Sequence, residues 1–325
     1  MSARHQCNSR RSRTRRRAGG ESPCRKWILG VGIMLLGATC ISADADETPP
    51  QTPPDPPPVE RRGYAVQRDV VYGRVGDVKL LADVYLPQGK ALRPGVLLVH
   101  GGAWMSGSKR TMSYSAKRLA ESGYTAVTID YRLAPKYKFP AQVEDCRTAL
   151  AWMHSQSKQY QIDPQRIAGF GYSAGAHLVA MLGTLPEYGL PADAGEDQIQ
   201  RWRLQAVVAG GTPSDFVSLP ENNGALAYFL GGTRKEKPKV YQLASPLRHV
   251  TADDPPMLFY HGESDLLVPK LSATQIYEKA RAVGIQTELV LLPKTGHLGA
   301  FLNRETTEKA IQFLNSVLKP EQSEK

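Results

Sequence analysis

Arg166-Ile167-Ala168-Gly169-Phe170-Gly171-Tyr172-Ser173-Ala174-Gly175-Ala176-His177-Leu178 decides the fold. Its first half is a continuous apolar run, as in a strand buried on both faces. Its second half opens a helix over Ala174–Leu182. Between them stands Gly-x-Ser-x-Gly, with Ser173 on the tight turn that lifts its hydroxyl out of a sheet. The glycines on either side let neighbouring backbone approach without clash. The amino end of the helix brings free N–H groups and partial positive charge to the reacting oxygen. Ser173 is therefore the candidate nucleophile. The plainer alternative makes it an ordinary helix cap.

Working outward, the same alternation continues. Val66–Tyr72 and Val78–Leu86 read as strands around a Gly76-Asp77 turn, an antiparallel pair at one edge. Further strands are expected at Gly95–Val99, Tyr124–Asp130, Leu204–Ala209, Met257–Tyr260 and Thr287–Leu292. Helices are expected at about Ser113–Ser122, Ala141–Ser157, Leu271–Ala282 and Glu305–Leu318. This pattern predicts an α/β chain: a three-layer α/β/α sandwich around a mostly parallel eight-stranded sheet. In such sheets the chemistry sits beyond the carboxyl ends of the strands.

That rule selects the partners of Ser173. His100-Gly101-Gly102-Ala103-Trp104 follows the Gly95–Val99 strand. Its bare backbone can aim N–H groups at a developing oxyanion, so Gly101, Gly102 and Ala103 join Ala174 as candidate donors. Neither phosphate-loop pattern occurs there. His100 reads as a residue that holds this loop. His297, in a loop after the last strand, is the candidate base. Asp265, after the Met257–Tyr260 strand, is the candidate acid, with Glu263 as competitor; Asp253 and Asp254 lie at the strand's wrong end. The chain order Ser, Asp, His is that of one large hydrolase class. Trp104, Tyr172, Tyr228 and Phe229 are candidate pocket residues. Arg132, Asp145 and Asp83 read as structural.

The 325 residues carry 41 Lys+Arg against 31 Asp+Glu, a net charge of +10. Residues 1–45 hold nine of those cations and two of the acids, which leaves 32 against 29 elsewhere. The body is close to neutral, so a nucleic-acid partner is not expected. Residues 1–45 read as a signal peptide: a basic region ending at Arg25-Lys26, an apolar run from Trp27 too short to span a bilayer, and Ala43-Asp44-Ala45 as the cleavage site. Export to the periplasm or outside the cell is expected. If the leader is not cleaved it becomes a membrane anchor, and that is the only membrane contact expected. Ser9-Arg10-Arg11 is a faint twin-arginine signal, and Cys40 a poor lipidation site. Residues 46–63 form a linker whose seven prolines in 48–58 favour a stiff extended spacer. The catalytic domain is expected over 64–320. Cleavage removes Cys7, Cys24 and Cys40 and leaves Cys146 alone, a buried apolar residue rather than half of a disulfide.

These segments together resemble the alpha/beta-hydrolase superfamily, and within it the bacterial feruloyl- and acetylxylan-esterase-like group. The resemblance is carried by Leu81–Pro87, the His100–Trp104 loop, Asp130-Tyr131-Arg132-Leu133, Gly171–Leu178, Ser245-Pro246, Pro255–Leu258, His261–Pro269 and Gly296-His297. It implies a serine carboxylic-ester hydrolase working through Ser173, His297, Asp265 and an acyl-enzyme. Short-acyl esters, or feruloyl and acetyl esters of sugars, would be its substrates, with no metal or organic cofactor. Hormone-sensitive-lipase-like esterases share Asp130–Pro135 but favour Gly-Asp-Ser over Gly-Tyr-Ser and carry a long amino-terminal cap. Kynurenine formamidases share the His-Gly-Gly-x-Trp loop. A prolyl-oligopeptidase-type peptidase would need a propeller domain for which the chain has no room. A ligand-binding pseudo-hydrolase would normally have lost a member of the triad. Residues 186–239 are expected to cover the active site.

Overall fold

Strict alternation along the inner strands builds two cores, one on each face of a single sheet. The computed structural model describes residues 59–61, 63–188, 202–219 and 223–319, with 195, 199 and 221. The leader (1–45), most of the linker and most of 189–201 lie outside the described residues, as do Cys7, Cys24 and Cys40. The strands are β1 (Val59–Arg61), β2 (Tyr64–Val75), β3 (Val78–Pro87), β4 (Arg93–Val99), β5 (Thr125–Ile129), β6 (Ile162–Tyr172), β7 (Ala206–Gly210), β8 (Met257–Gly262) and β9 (Thr287–Leu292). The helices are α1 (Ser113–Glu121), α2 (Ala141–Ser155), α3 (Ala174–Thr184), α4 (Gly224–Leu230), α5 (Pro238–Leu243), α6 (Lys270–Ala282), α7 (His297–Leu302) and α8 (Arg304–Leu318).

Sheet order is β1-β2-β3-β5-β4-β6-β7-β8-β9. The pairs from β5 to β9 are parallel, and those joining β1, β2, β3 and β5 are antiparallel. The expected antiparallel hairpin is there. The expected count of eight strands becomes nine, because Val59–Arg61 pairs with Tyr64–Val66. This short strand falls inside the span assigned to the linker. It begins directly after Pro58, where residues again carry the N–H groups that a ladder needs.

In β4, Val96 and Leu98 face one core while Leu97 and Val99 face the other. The first core is closed by Leu119 of α1 and by Phe313 and Leu314 of α8. The second is closed by Cys146 and Leu150 of α2, Leu178 and Leu182 of α3, and Ile276 of α6. On α2 the buried positions Val143, Cys146, Leu150 and Met153 follow the helical period. Cys146 is fully buried and free, as its surroundings required.

Register carries the site. Val99, Gly171, Ala209, Phe259 and Leu289 lie side by side across five neighbouring parallel strands. Whatever follows each of them emerges on one edge of the sheet. Those followers include the His100 loop, Ser173, Asp265 and His297. No helix among the described residues is long and apolar enough to cross a membrane.

Candidate active site

Ser173 sits between β6 and α3 at φ 55°, ψ −120°. That conformation costs a side-chain-bearing residue roughly 1–3 kcal/mol. The neighbouring packing enforces it. A Cβ on Gly171 would lie 2.3 Å from the Gly175 carbonyl, and one on Gly175 would lie 2.0 Å from the Val99 oxygen. Only glycine fits either place, so α3 closes directly onto the strand ends. The Ser173 N–H donates to Gly210 O at 2.8 Å, which ties the turn to β7.

The loop after β4 is bent back on itself. Gly102, Ala103 and Trp104 all have positive φ, at 116°, 51° and 61°. The N–H groups of Met105 and Ser106 both donate to Gly102 O at 3.0 Å. His100 is buried and donates Nδ1–H to Gly101 O at 2.7 Å, under the ring of Tyr131 stacked 4.3 Å away. Burial pushes its pKa down, so it is a neutral brace for the loop, as expected. Among the described residues, no protein acceptor takes the N–H groups of Gly101, Gly102, Ala103 or Ala174. All four residues line the cavity that Ser173 faces. Gly101 is in near contact with the serine: a Cβ there would lie 3.1 Å from Ser173 Cβ.

His297 is the first residue of α7 rather than part of a loop, because Gly296 caps a short helix there. Its Nδ1–H donates to Asp265 Oδ2 at 2.5 Å. That bond fixes the tautomer and leaves Nε2 as the basic nitrogen. The Asp265 side chain is wholly buried. Its Oδ1 accepts the N–H groups of Leu267 and Val268, each at 2.9 Å. The acid and base segments are stitched together by Ser264 N–H to Thr295 O at 2.9 Å. Tyr172 donates its hydroxyl to the His297 carbonyl and sets its ring 5.0 Å from the imidazole. The competing carboxylate Glu263 is exposed and faces Lys270 at 3.8 Å. Asp254 instead accepts from Thr251.

Ser173 and His297 share one cavity of about 630 Å³. Trp104 and Tyr172 line it. Tyr228 does not: it is 60% exposed on the outer face of α4. Phe229 is fully buried behind Trp104, stacked on its indole at 4.2 Å, and supports the wall without lining it. The helical period separates the two: Leu226, Phe229 and Leu230 form the inner face of α4, and Tyr228 points away. Leu226 and Asn223 do reach the cavity, so this part of the 186–239 segment covers the site. The sequence reading missed Phe216, Leu267, Leu298 and Phe301 as further lining. The structural readings of Arg132, Asp145 and Asp83 stand. Arg132 binds Asp145 through its side chain and its backbone N–H, and Asp83 is enclosed by Arg68 and Lys109.

The BD-FAE family profile matches residues 82–280. The chain is 32% identical to Esterase LipC of Mycobacterium tuberculosis over 83% of its own length and 70% of LipC. It is 31% identical to LipM, a probable carboxylic ester hydrolase of the same organism, but spans only 62% of that protein. Among solved structures, the thermophilic esterase Est2 of Thermogutta terrifontis superposes with TM-score 0.66 at 26% identity, covering 80% of this chain and 95% of Est2. Est2 has also been solved with butyrate and with propionate bound. Fold, site and sequence thus agree, and the chain belongs to the BD-FAE family of α/β-hydrolase esterases.

Proposed function

We propose that this carboxylesterase hydrolyses short-acyl esters through Ser173, His297 and Asp265. The observation that carries the reading is the 2.5 Å bond from His297 Nδ1 to buried Asp265, in the cavity onto which the strained Ser173 opens. His297 Nε2 takes the Ser173 proton as Oγ attacks the ester carbonyl. The oxyanion rests on N–H groups from Ala174 and from the Gly101–Ala103 loop, each contributing about 3 kcal/mol to the transition state. The alcohol leaves with the proton held by His297. Water activated by the same nitrogen then frees the acid, while Asp265 holds the ring and stabilises its cation.

Two features favour a small acyl group. Trp104 closes the cavity wall, and Est2, similar in fold, has been solved with butyrate and propionate bound. The alcohol side is read from the sequence resemblance alone, as a sugar hydroxyl carrying an acetyl or feruloyl group. The leader is read as an export signal. The deciding experiment measures initial rates on nitrophenyl esters from acetyl to dodecanoyl, with methyl ferulate and acetylated xylan alongside. Rates should fall beyond butyrate, and Ser173→Ala should abolish them. A peak at long chains would overturn the short-acyl reading, and turnover by Ser173→Ala would overturn the mechanism.

A further inference from the structure

We infer that His261 is a positioning residue for the acid, holding Asp265 through a hydrogen-bonded turn. The inference rests on the assignment of Asp265 as the acid partner of His297. His261 is the next-to-last residue of β8, four before Asp265, and is fully buried. Its Nε2 lies 2.8 Å from Val268 O and 3.3 Å from Asp265 Oδ2. Both neighbours are acceptors, so Nε2 carries the proton; it donates it to Val268 O and stands close to Oδ2 without a second hydrogen bond. Its Nδ1 is buried with no protein partner among the described residues, which suits the bare lone pair of that tautomer. The imidazole is therefore a neutral, aimed N–H donor.

The turn needs such a brace. Between Asp265 and Val268 stand Leu266 and Leu267, 95% and 77% exposed, so packing does not hold the loop tip. Hydrogen bonds do. Asp265 Oδ1 accepts from the Leu267 and Val268 N–H groups, while His261 donates to the Val268 carbonyl and sits 3.3 Å from Oδ2. That donor thus fixes the far end of the turn, whose N–H groups in their turn hold the carboxylate that faces His297. The charged or titratable groups that act on His261 are Asp265 and His297. Removing the donor frees the carboxylate to swing.

Two variants of the full chain separate this role from simple packing. Gln places an N–H₂ where the histidine has Nε2, whereas Asn ends one atom short. His261→Gln should keep kcat within about threefold. His261→Asn should lower kcat about tenfold with KM little changed, since misplacing a catalytic group costs rate before binding. Equal activity of the Gln and Asn variants, or a loss in the Asn variant that appears in KM rather than in kcat, overturns the inference. In case His261→Asn does not fold, nitrogen-15 NMR of histidine in the wild-type protein tests the same geometry. A neutral His261 protonated at Nε2 from pH 8 to 6 is expected, and a proton on Nδ1 sinks the idea. Ser173→Ala is run alongside. If it still turns over, the triad assignment has failed; if it is dead and His261→Asn is normal, only the role of His261 has.

Discussion

Trp104 and His177 meet edge to face, with ring centres 5.2 Å apart and planes at 90°. The indole N–H donates to His177 Nδ1 at 3.2 Å, and His177 Nε2–H donates in turn to Ala244 O at 2.8 Å. This chain of bonds fixes the indole in the cavity wall, with Phe229 stacked behind it and Phe216 edge-on at 5.6 Å. Trp104 sits at positive φ, so its backbone has little freedom to adapt. The wall is built rather than incidental.

Trp104→Ala should therefore deepen the pocket towards Phe229. Added methylenes would find apolar surface instead of an indole, each worth about 1 kcal/mol. The ratio of kcat/KM for octanoyl against acetyl nitrophenyl ester should rise about tenfold. Stability should fall by about 3–5 kcal/mol, as for other large-to-small core changes. An unchanged chain-length profile in folded protein would show that the acyl group lies elsewhere.

His177 also makes stability depend on pH. Full burial pushes its pKa down to about 4, against about 6.5 in an unfolded chain. Between those values the unfolded state binds the proton and the native state does not, so stability is complete above 6.5 and is lost as pH falls towards 4. The loss amounts to about 3 kcal/mol from this residue. His100 and His261 are shifted in the same direction, again chiefly by burial. Asp145 and Asp254 are shifted upward by burial and act oppositely. Urea unfolding at pH 7, 6, 5 and 4 should give a falling midpoint. In His177→Leu the curve should be flatter, although the variant is weaker at pH 7 because the Trp104 N–H and Ala244 carbonyl lose their partner.

The turn at Ser173 sets stability against function. At φ 55° and ψ −120° a serine is strained and a glycine is not. Relief of about 1–3 kcal/mol exceeds the roughly 0.5–1 kcal/mol of extra chain entropy that glycine loses on folding. Ser173→Gly should therefore melt higher than the wild type while losing all esterase activity. A lower melting temperature would mean that the hydroxyl contributes more than the turn costs.

What could be read from the sequence divides along physical lines. Local period and the glycines around Ser173 report on neighbouring residues in the chain, so the strands, most helices and the candidate nucleophile were legible. Asp265 and His297 followed because parallel strands deliver their loops to one edge. Side-chain direction within a short element was harder to read. Tyr228 and Phe229 looked equivalent in an apolar run, yet one faces solvent and the other the core. Taking Ala225–Leu230 as helical would have separated them. His297 looked like a loop residue because two glycines, Gly296 and Gly299, obscure a helix of six residues. His261 gave no signal of its link to Asp265, since a four-residue spacing beyond a strand end has no fixed geometry until the turn is folded.

Lys109 tests how far the oxyanion loop depends on its downstream anchor. The residue lies just past Gly107 and is almost wholly buried. Its Nζ lies 2.7 Å from Asp69, 3.2 Å from Asp130 and 3.6 Å from Asp83, and its N–H donates to Asp130 at 2.7 Å. Lys109→Met keeps the bulk of the side chain but leaves three carboxylates around an uncharged one, with Arg68 alone to offset Asp83. Asp69 and Asp130 are partly exposed and Asp83 keeps Arg68, so losing the ammonium should cost about 1–3 kcal/mol. The urea midpoint should fall accordingly. At a temperature where the variant is still folded, kcat should drop several-fold with KM nearly unchanged, because a looser loop misplaces N–H groups that matter most in the transition state. Equal kcat in a destabilised but folded variant would separate the charge cluster from catalysis and leave it a purely structural role.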